Sequence, residues 1–74
     1  MRLKENMLNV KLIEKFMDES RLSRAEFARM CKVNKSVIDR ILSGSLREKF
    51  VHYIKVSGAM GIYLDELLDI GEID

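Results

Sequence analysis

The sequence contains no proline, no tryptophan and only one cysteine, Cys31, among its 74 residues. A lone cysteine cannot form a disulfide within one chain, which indicates a reducing cytoplasm and a fold stabilised by packing alone. No apolar run approaches the roughly 18 residues of a membrane span, and the opening stretch MRLKENMLNV lacks the apolar segment of a secretory signal. These absences predict a single cytoplasmic domain over residues 1–74 that does not enter a membrane.

Groups that carry chemistry are equally scarce. His52 is the only histidine, so with one cysteine a zinc site of nitrogen and sulfur ligands is excluded. The sequence shows no glycine-rich phosphate loop and no nucleophile with a neighbouring base. We therefore expect no catalytic residue, no metal and no cofactor, and interpret Cys31 as a small core side chain. The chain is predicted not to be an enzyme.

The formal net charge of +1 conceals an uneven distribution. Residues 21–49 carry eight basic and three acidic side chains, a local balance of +5. The acidic C-terminal end, residues 65–74, carries five acids and no base. A basic middle and an acidic end predict that the middle of the chain faces a polyanion.

Apolar residues recur at spacings of three and four nearly throughout, which predicts helices. Asn9 is a good N-cap for a first helix that runs to about Ser20. Ser23 and Glu26 form the Ser-x-x-Glu capping box that starts a second helix. This second helix is expected to end near Cys31.

A third helix is predicted to follow the N-cap candidate Asn34 and to stop before Gly44. Ser45 and Glu48 offer a second capping box, so a fourth helix is expected from Leu46 to Gly61. Its apolar side is predicted to consist of Phe50, Val51, Tyr53, Ile54 and Met60. A short fifth helix over Leu64 to Leu68, followed by the fraying end GEID, completes an all-α fold of five helices.

The second and third helices, Ser23–Cys31 and Lys35–Ser43, have the dimensions of a helix-turn-helix over about residues 23–43. The spacing predicts that Ile38, Ile41 and Leu42 face inward on the third helix and that Lys35, Ser36, Asp39 and Arg40 face outward. A major groove admits one helix and is read by polar side chains near that helix's N-terminus, and arginine pairs with guanine through two hydrogen bonds. The polar side of the third helix is therefore predicted to enter a DNA groove.

The run LSRAEFARMCKVNKSVIDRILSG, followed at the right distance by AMGIYLDELL, resembles the lambda-repressor-like (XRE/Cro-type) helix-turn-helix regulators. The resemblance covers residues 10–68 without a gap. It implies a compact five-helix DNA-binding domain that regulates transcription, as a repressor of bacterial or phage type. It also implies double-stranded DNA as the partner and a homodimer as the binding form.

By position, the resemblance assigns two kinds of DNA contact. Asn34, Lys35, Ser36 and Arg40 are expected to touch bases or adjacent phosphates. Contacts to the phosphate backbone are expected from Arg24, Ser43, Ser45 and Arg47. The implied dimer contact involves the fifth helix and its surroundings, with the exposed apolar residues Ile62, Tyr63, Leu67 and Ile70.

The sequence departs from the family pattern at several positions. Lys32 occupies the usual turn glycine, so a left-handed backbone there would cost on the order of 1 kcal/mol unless the turn adjusts. Arg24 replaces a frequent glutamine, which removes an amide that bridges backbone and base. Tyr63 stands where serine or threonine usually caps the last helix.

Two interpretations stay open at this point. Asp39 either accepts from a cytosine amino group or, as we favour, orients Arg40 or Arg24 or discriminates against wrong sequences. The second concerns function, because the same fold serves protein-interaction modules such as antitoxins and transcription adaptors. The modest net charge favours this protein partner, whereas the basic groups around one helix favour DNA.

Overall fold

Five helices account for most of residues 7–69, the part of the chain that this computed structural model describes. In chain order they are α1 (Val10–Ser20), α2 (Arg24–Cys31), α3 (Lys35–Leu42), α4 (Phe50–Met60) and α5 (Leu64–Leu67). Strand β1 (Met7–Leu8) pairs antiparallel with β2 (Leu68–Asp69), Leu8 lying opposite Leu68. The all-α class is confirmed, and the two-residue strand pair is an addition that the sequence did not indicate. Within this described part, no helix is long and apolar enough to cross a membrane.

Both predicted N-caps at the first two helices are present. Asn9 Oδ1 accepts a hydrogen bond from the Leu12 N–H at 3.2 Å. Ser23 Oγ accepts from the Glu26 N–H at 3.1 Å, and Glu26 Oε1 accepts from the Ser23 N–H at 2.8 Å. The capping box therefore satisfies two backbone donors reciprocally and fixes where α2 begins.

Lys32 ends α2 in the left-handed conformation, with φ 60° and ψ 43°. The N–H groups of Lys32 and Val33 donate to the carbonyl oxygens of Arg29 and Ala28 at 3.1 and 3.0 Å. These bonds satisfy carbonyls at the helix end that would otherwise lack a partner. Lys32 thus adopts the left-handed conformation that glycine usually takes in this turn, and only three residues separate α2 from α3.

The core lies where the helices meet. Its largest fully buried side chains come from all five helices: Ile13, Phe27, Ile38, Ile41, Val56 and Leu67. Val37 is buried as well, so its side chain packs in the core. The predicted inward side of α3 is confirmed for Ile38 and Ile41, while Leu42 is half-buried.

The fourth helix differs from its prediction in two ways. It begins at Phe50 after Lys49, not at Leu46. The side chains of Ser45 and Glu48 do not form the predicted capping box, because each has another hydrogen-bond partner. Only Tyr53 and Met60 of the predicted apolar side are buried, together with Val56. Phe50, Val51 and Ile54 are exposed, since they lie on the opposite side of the helix from these three residues.

The two ends of the described part, strands β1 and β2, meet next to α5. The Asn9 N–H donates to the Leu67 carbonyl at 2.8 Å, and Leu68 leaves the helix to enter β2. The fifth helix therefore ends one residue earlier than predicted. The expected fraying of GEID lies outside the described residues.

Candidate nucleic-acid interface

One carboxylate joins the start of α2 to the exposed side of α3. Asp39 Oδ2 accepts from Lys35 Nζ at 2.9 Å, and Asp39 Oδ1 accepts from Arg24 Nη1 at 3.1 Å. These hydrogen bonds, the one from Lys35 first, hold the pKa of Asp39 below its usual value. Asp39 therefore stays ionised at neutral pH and holds two cations from different helices side by side. Of the partners expected for it, Arg24 is confirmed and Arg40 is not.

The first turn of α3 is open to solvent. Asn34, Lys35 and Ser36 are exposed, and the Asn34 side chain makes no capping hydrogen bond. Its carbonyl accepts from the Val37 N–H at 2.9 Å, while the N–H groups of Lys35 and Ser36 have no partner among residues 7–69. Free N–H groups at a helix N-terminus, with a lysine beside them, favour an anion such as phosphate.

Arg40 does not project freely from α3. Its Nε and Nη2 donate to the two carboxylate oxygens of Glu48 at 2.7 and 3.0 Å. The Glu48 side chain is only 7% exposed, and the bond from Arg40 lowers its pKa while raising that of Arg40. The predicted capping box of Ser45 and Glu48 is wrong, because this carboxylate binds the guanidinium instead of a helix start.

The loop between α3 and α4 is held by Tyr53, which its spacing predicted only as a residue on the apolar side of α4. The buried Tyr53 donates from its hydroxyl to the Ser45 carbonyl at 2.9 Å and accepts from the Glu48 N–H at 3.0 Å. Ser45 Oγ accepts from the Arg47 N–H at 3.2 Å. No local signal could have identified Tyr53, because its spacing equally fits a core residue of α4.

The remaining predicted DNA contacts lie around this loop. Ser43 is exposed at the end of α3, where its hydroxyl donates to the Arg40 carbonyl at 2.6 Å. Arg47 is exposed in the loop, while Ser45 is half-buried. The structure thus forms two clusters from the predicted residues: Arg24, Lys35 and Asp39 in one, and Arg40 with the loop in the other.

The residues expected at a dimer contact do not form one exposed group. Tyr63 is 79% exposed, but Ile62 is half-buried and lines a shallow groove with Leu12, Phe16 and Met60. The expectation that Leu67 is exposed is wrong, because its side chain is fully buried in the core. Ile70 lies outside the described residues.

Two side chains that could react or bind a metal ion are a cysteine and a histidine. Cys31 is buried, and burial raises the pKa of its thiol to about 11, so the thiol is protonated and unreactive at neutral pH. His52 is half-buried with its Nδ1 3.8 Å from Glu48 Oε1, too far for a hydrogen bond. Over residues 7–69, no three histidine, cysteine, aspartate or glutamate side chains are grouped to bind a metal ion.

Comparison with known proteins does not identify a family. No protein-family model matches the chain, and no curated protein matches it. The resemblance to lambda-repressor-like regulators therefore rests on the sequence patterns and has support from neither comparison.

Proposed function

We propose that this chain is a sequence-specific DNA-binding transcriptional regulator of the lambda-repressor-like type, with α2 and α3 as its helix-turn-helix. The observation that carries the proposal is the open first turn of α3, where Lys35 and Ser36 stand exposed beside Arg24. Two cations, a hydroxyl and two free N–H groups are presented together, which suits base edges and phosphates.

In this mechanism α3 enters the major groove with its first turn leading. Lys35 donates to acceptors on a guanine, and Ser36 bonds to an adjacent base or phosphate. Arg24, at the start of α2, neutralises a backbone phosphate. Asp39 orients both cations in the free protein, and its negative charge reduces attraction to DNA in which those contacts are poor.

Arg40 has two candidate roles, and substitution of its partner Glu48 distinguishes them. If Arg40 reads a base, it must exchange Glu48 for that base, and the exchange is favourable only at the correct sequence. If Arg40 instead holds the loop, the pair positions Ser45 and Arg47 against the backbone. In the first role Glu48→Gln strengthens DNA binding by freeing Arg40, and in the second it weakens binding as Arg40→Ala does.

One recognition helix reads only a few base pairs, so useful specificity requires two copies on a pseudo-palindrome about one helical turn apart. We therefore propose a homodimer on DNA. Occupying an operator that overlaps a promoter would repress transcription. In this role the protein binds DNA in the cytoplasm and catalyses no reaction.

The test is a selection from random duplex DNA at moderate salt. We expect the unaltered chain to enrich a palindromic sequence and Lys35→Ala to lose preference at one position in each half-site. Lys11→Ala is the matched control, since Lys11 is an exposed lysine of α1, and should leave the sequence unchanged. Affinity for the selected site should also fall steeply with salt, because phosphate contacts release counterions.

Failure to enrich any sequence would reject the proposal. A protein-interaction role would then explain the fold better, and a bound protein should be sought. If a sequence is enriched but Lys35→Ala selects the same one with equal preference, DNA binding stands and the assignment of α3 as the reading helix fails.

A further inference from the structure

Helix α4 is apolar on two opposite sides, and the described part of the chain covers only one of them. Tyr53, Val56 and Met60 pack into the core, whereas Phe50 is 61% exposed and Ile54 46% exposed. Surface helices normally place charged and polar side chains on the side away from the core. In α4 the only formally charged residue is Lys55, so its outer side is an apolar surface that residues 7–69 leave uncovered.

This outer surface of α4, defined here as Phe50, Val51, Ile54 and Gly58, has the size of a contact site. Val51 is about as exposed as Ile54, and Leu46, just before the helix, is exposed to a similar degree. Phe50, Val51 and Ile54 together present on the order of 300 Å² of apolar surface. The largest apolar patch on a monomer is commonly of about this size and is often functional.

Gly58 is the second unusual feature of α4. It is exposed within the helix and lacks the positive φ of Gly44 and Gly61, and an added Cβ would meet nothing within 4 Å. Neither the backbone nor packing among the described residues therefore requires a glycine. Because glycine weakens a helix interior relative to alanine, its presence on an apolar surface points to close approach by another molecule.

Phe50, Ile54 and Gly58 are spaced four residues apart and form one ridge along the helix. The ridge has a large ring at one end, an isoleucine at its centre and no side chain at the other end. Phe50 and Gly58 are equally distant from Ile54, each about 6 Å along the axis. If a second identical ridge lies antiparallel across it, each phenylalanine therefore meets the glycine of the other.

We propose that two copies of this chain associate through the outer surfaces of α4, antiparallel about a two-fold axis at Ile54. Phe50 of each copy lies over Gly58 of the other. A two-fold contact requires a surface complementary to itself, and this ridge meets that condition. No acidic residue lies on α4, so this contact would bury no carboxylate of that helix.

The area sets the strength of this association. Two outer surfaces supply about 600 Å² of apolar area, and with a polar rim the total is about 1,000 Å², the size of a weak, transient contact. The dimer should therefore be reversible and concentration-dependent. The proposal uses residues other than those assigned to DNA and is tested without DNA, so its failure and that of the proposed function are distinguishable.

The first experiment is sedimentation equilibrium of the full chain without DNA, from about 5 μM to 1 mM. The mass of the unaltered chain should rise from one copy toward two over this range. Phe50→Ser and Gly58→Gln should each weaken dimerisation by at least about 30-fold, as expected for a central contact residue. Gly58→Gln should keep or raise the melting temperature, because glutamine favours a helix, which separates lost association from lost folding.

Tyr63→Ser is the matched control, since it removes an exposed aromatic side chain from the rival surface near α5. It should leave dimerisation unchanged. A chain that remains monomeric at 1 mM would overturn the proposal. So would a dimer that Tyr63→Ser disrupts and Phe50→Ser does not, because the contact would then lie near α5.

The second experiment tests the symmetry. Ile54→Cys places one thiol from each copy next to the two-fold axis, so mild oxidation should give a disulfide-linked dimer. Glu14→Cys, at an exposed position of α1, is the control and should cross-link much more slowly. Equal cross-linking of the two variants would reject the antiparallel arrangement. The buried native thiol of Cys31 is protected from the oxidant and should not interfere.

Discussion

Lys32 and Arg21 are the two residues other than glycine with positive φ in the described part of the chain, and each ends a helix. A side chain at such a position brings Cβ close to the carbonyl oxygen, which costs roughly 1–2 kcal/mol. The chain tolerates this cost at Lys32 because the tight turn lets α3 pack against α2 and bury the apolar side chains of both helices. The geometry of the turn is therefore set by packing of the two helices rather than by the preference of the residue.

Replacing Lys32 with glycine should stabilise the fold. Relief of the left-handed strain exceeds the extra entropy of glycine in the unfolded chain, so the free energy of unfolding should rise by about 1 kcal/mol. The melting temperature should increase by roughly 4–8 °C for a domain of this size. Lys32→Ala is the control, because it removes the same charge but keeps Cβ, and should give no increase. Equal stability of the two variants, measured by thermal unfolding, would show that strain at this position is negligible.

The N-terminus of a helix could be predicted from the sequence where the capping side chain lies close along the chain to the N–H group that it binds. The starts of α1 and α2 follow from Asn9 and Ser23, whose bonds reach only three residues along the chain. The start of α4 could not be predicted, because Glu48 has a stronger partner in Arg40, eight residues earlier. That choice depends on how α3 and the loop meet in space. Sequence spacing therefore identifies candidate caps, and the folded arrangement decides which are used.

In the candidate site, too, some features could be predicted from the sequence and others depend on the folded arrangement. Exposure of Lys35 and Ser36 follows from the helical period of α3, so it could be predicted from the sequence. The bond from Arg24 to Asp39 joins residues 15 positions apart and was only one of several interpretations. The exposed side of α4 was misassigned to the core, because apolar residues occur on both of its sides and the period alone does not tell which side is buried.

The Arg40–Glu48 pair should make stability depend on acidity. Its hydrogen bonds lower the folded-state pKa of Glu48 below the usual 4.5, so the unfolded chain binds a proton more readily. The stabilisation is complete above pH 4.5 and is lost as the pH falls through the lowered folded-state value. Glu48→Gln should therefore melt at a lower temperature than the unaltered chain at pH 7, and the difference should shrink toward pH 3.

Thermal unfolding at pH 7, 5, 4 and 3 measures this effect. Part of the acid loss should remain in Glu48→Gln, because hydrogen bonds also lower the pKa values of Asp39 and Glu26. The control is Glu14→Gln, which removes an exposed carboxylate of α1 and should follow the unaltered chain at every pH. If the difference between Glu48→Gln and the unaltered chain is constant with pH, the ion pair contributes nothing to the acid response.

The two short strands at either end of the described residues help to close one small core. Leu8 is buried beside α5, and the backbone of Asn9 bonds to Leu67. Helix α5 has only four residues, too few to be stable alone. Its position therefore depends on the burial of Leu67 and on the short strand pair. Within the described part, the exposed sides of α3 and α4 are the surfaces proposed to contact DNA and a second copy of the chain.

Leu67→Ala should accordingly be among the most damaging substitutions in the chain. Removing a fully buried leucine costs about 2–5 kcal/mol, against a total stability of about 4–11 kcal/mol for a domain of this length. Leu64→Ala is the matched control, since Leu64 is half-buried on the same helix, and should cost clearly less. Urea unfolding followed by circular dichroism measures both. Equal, small losses would mean that α5 is peripheral and that the rest of the core is stable without it.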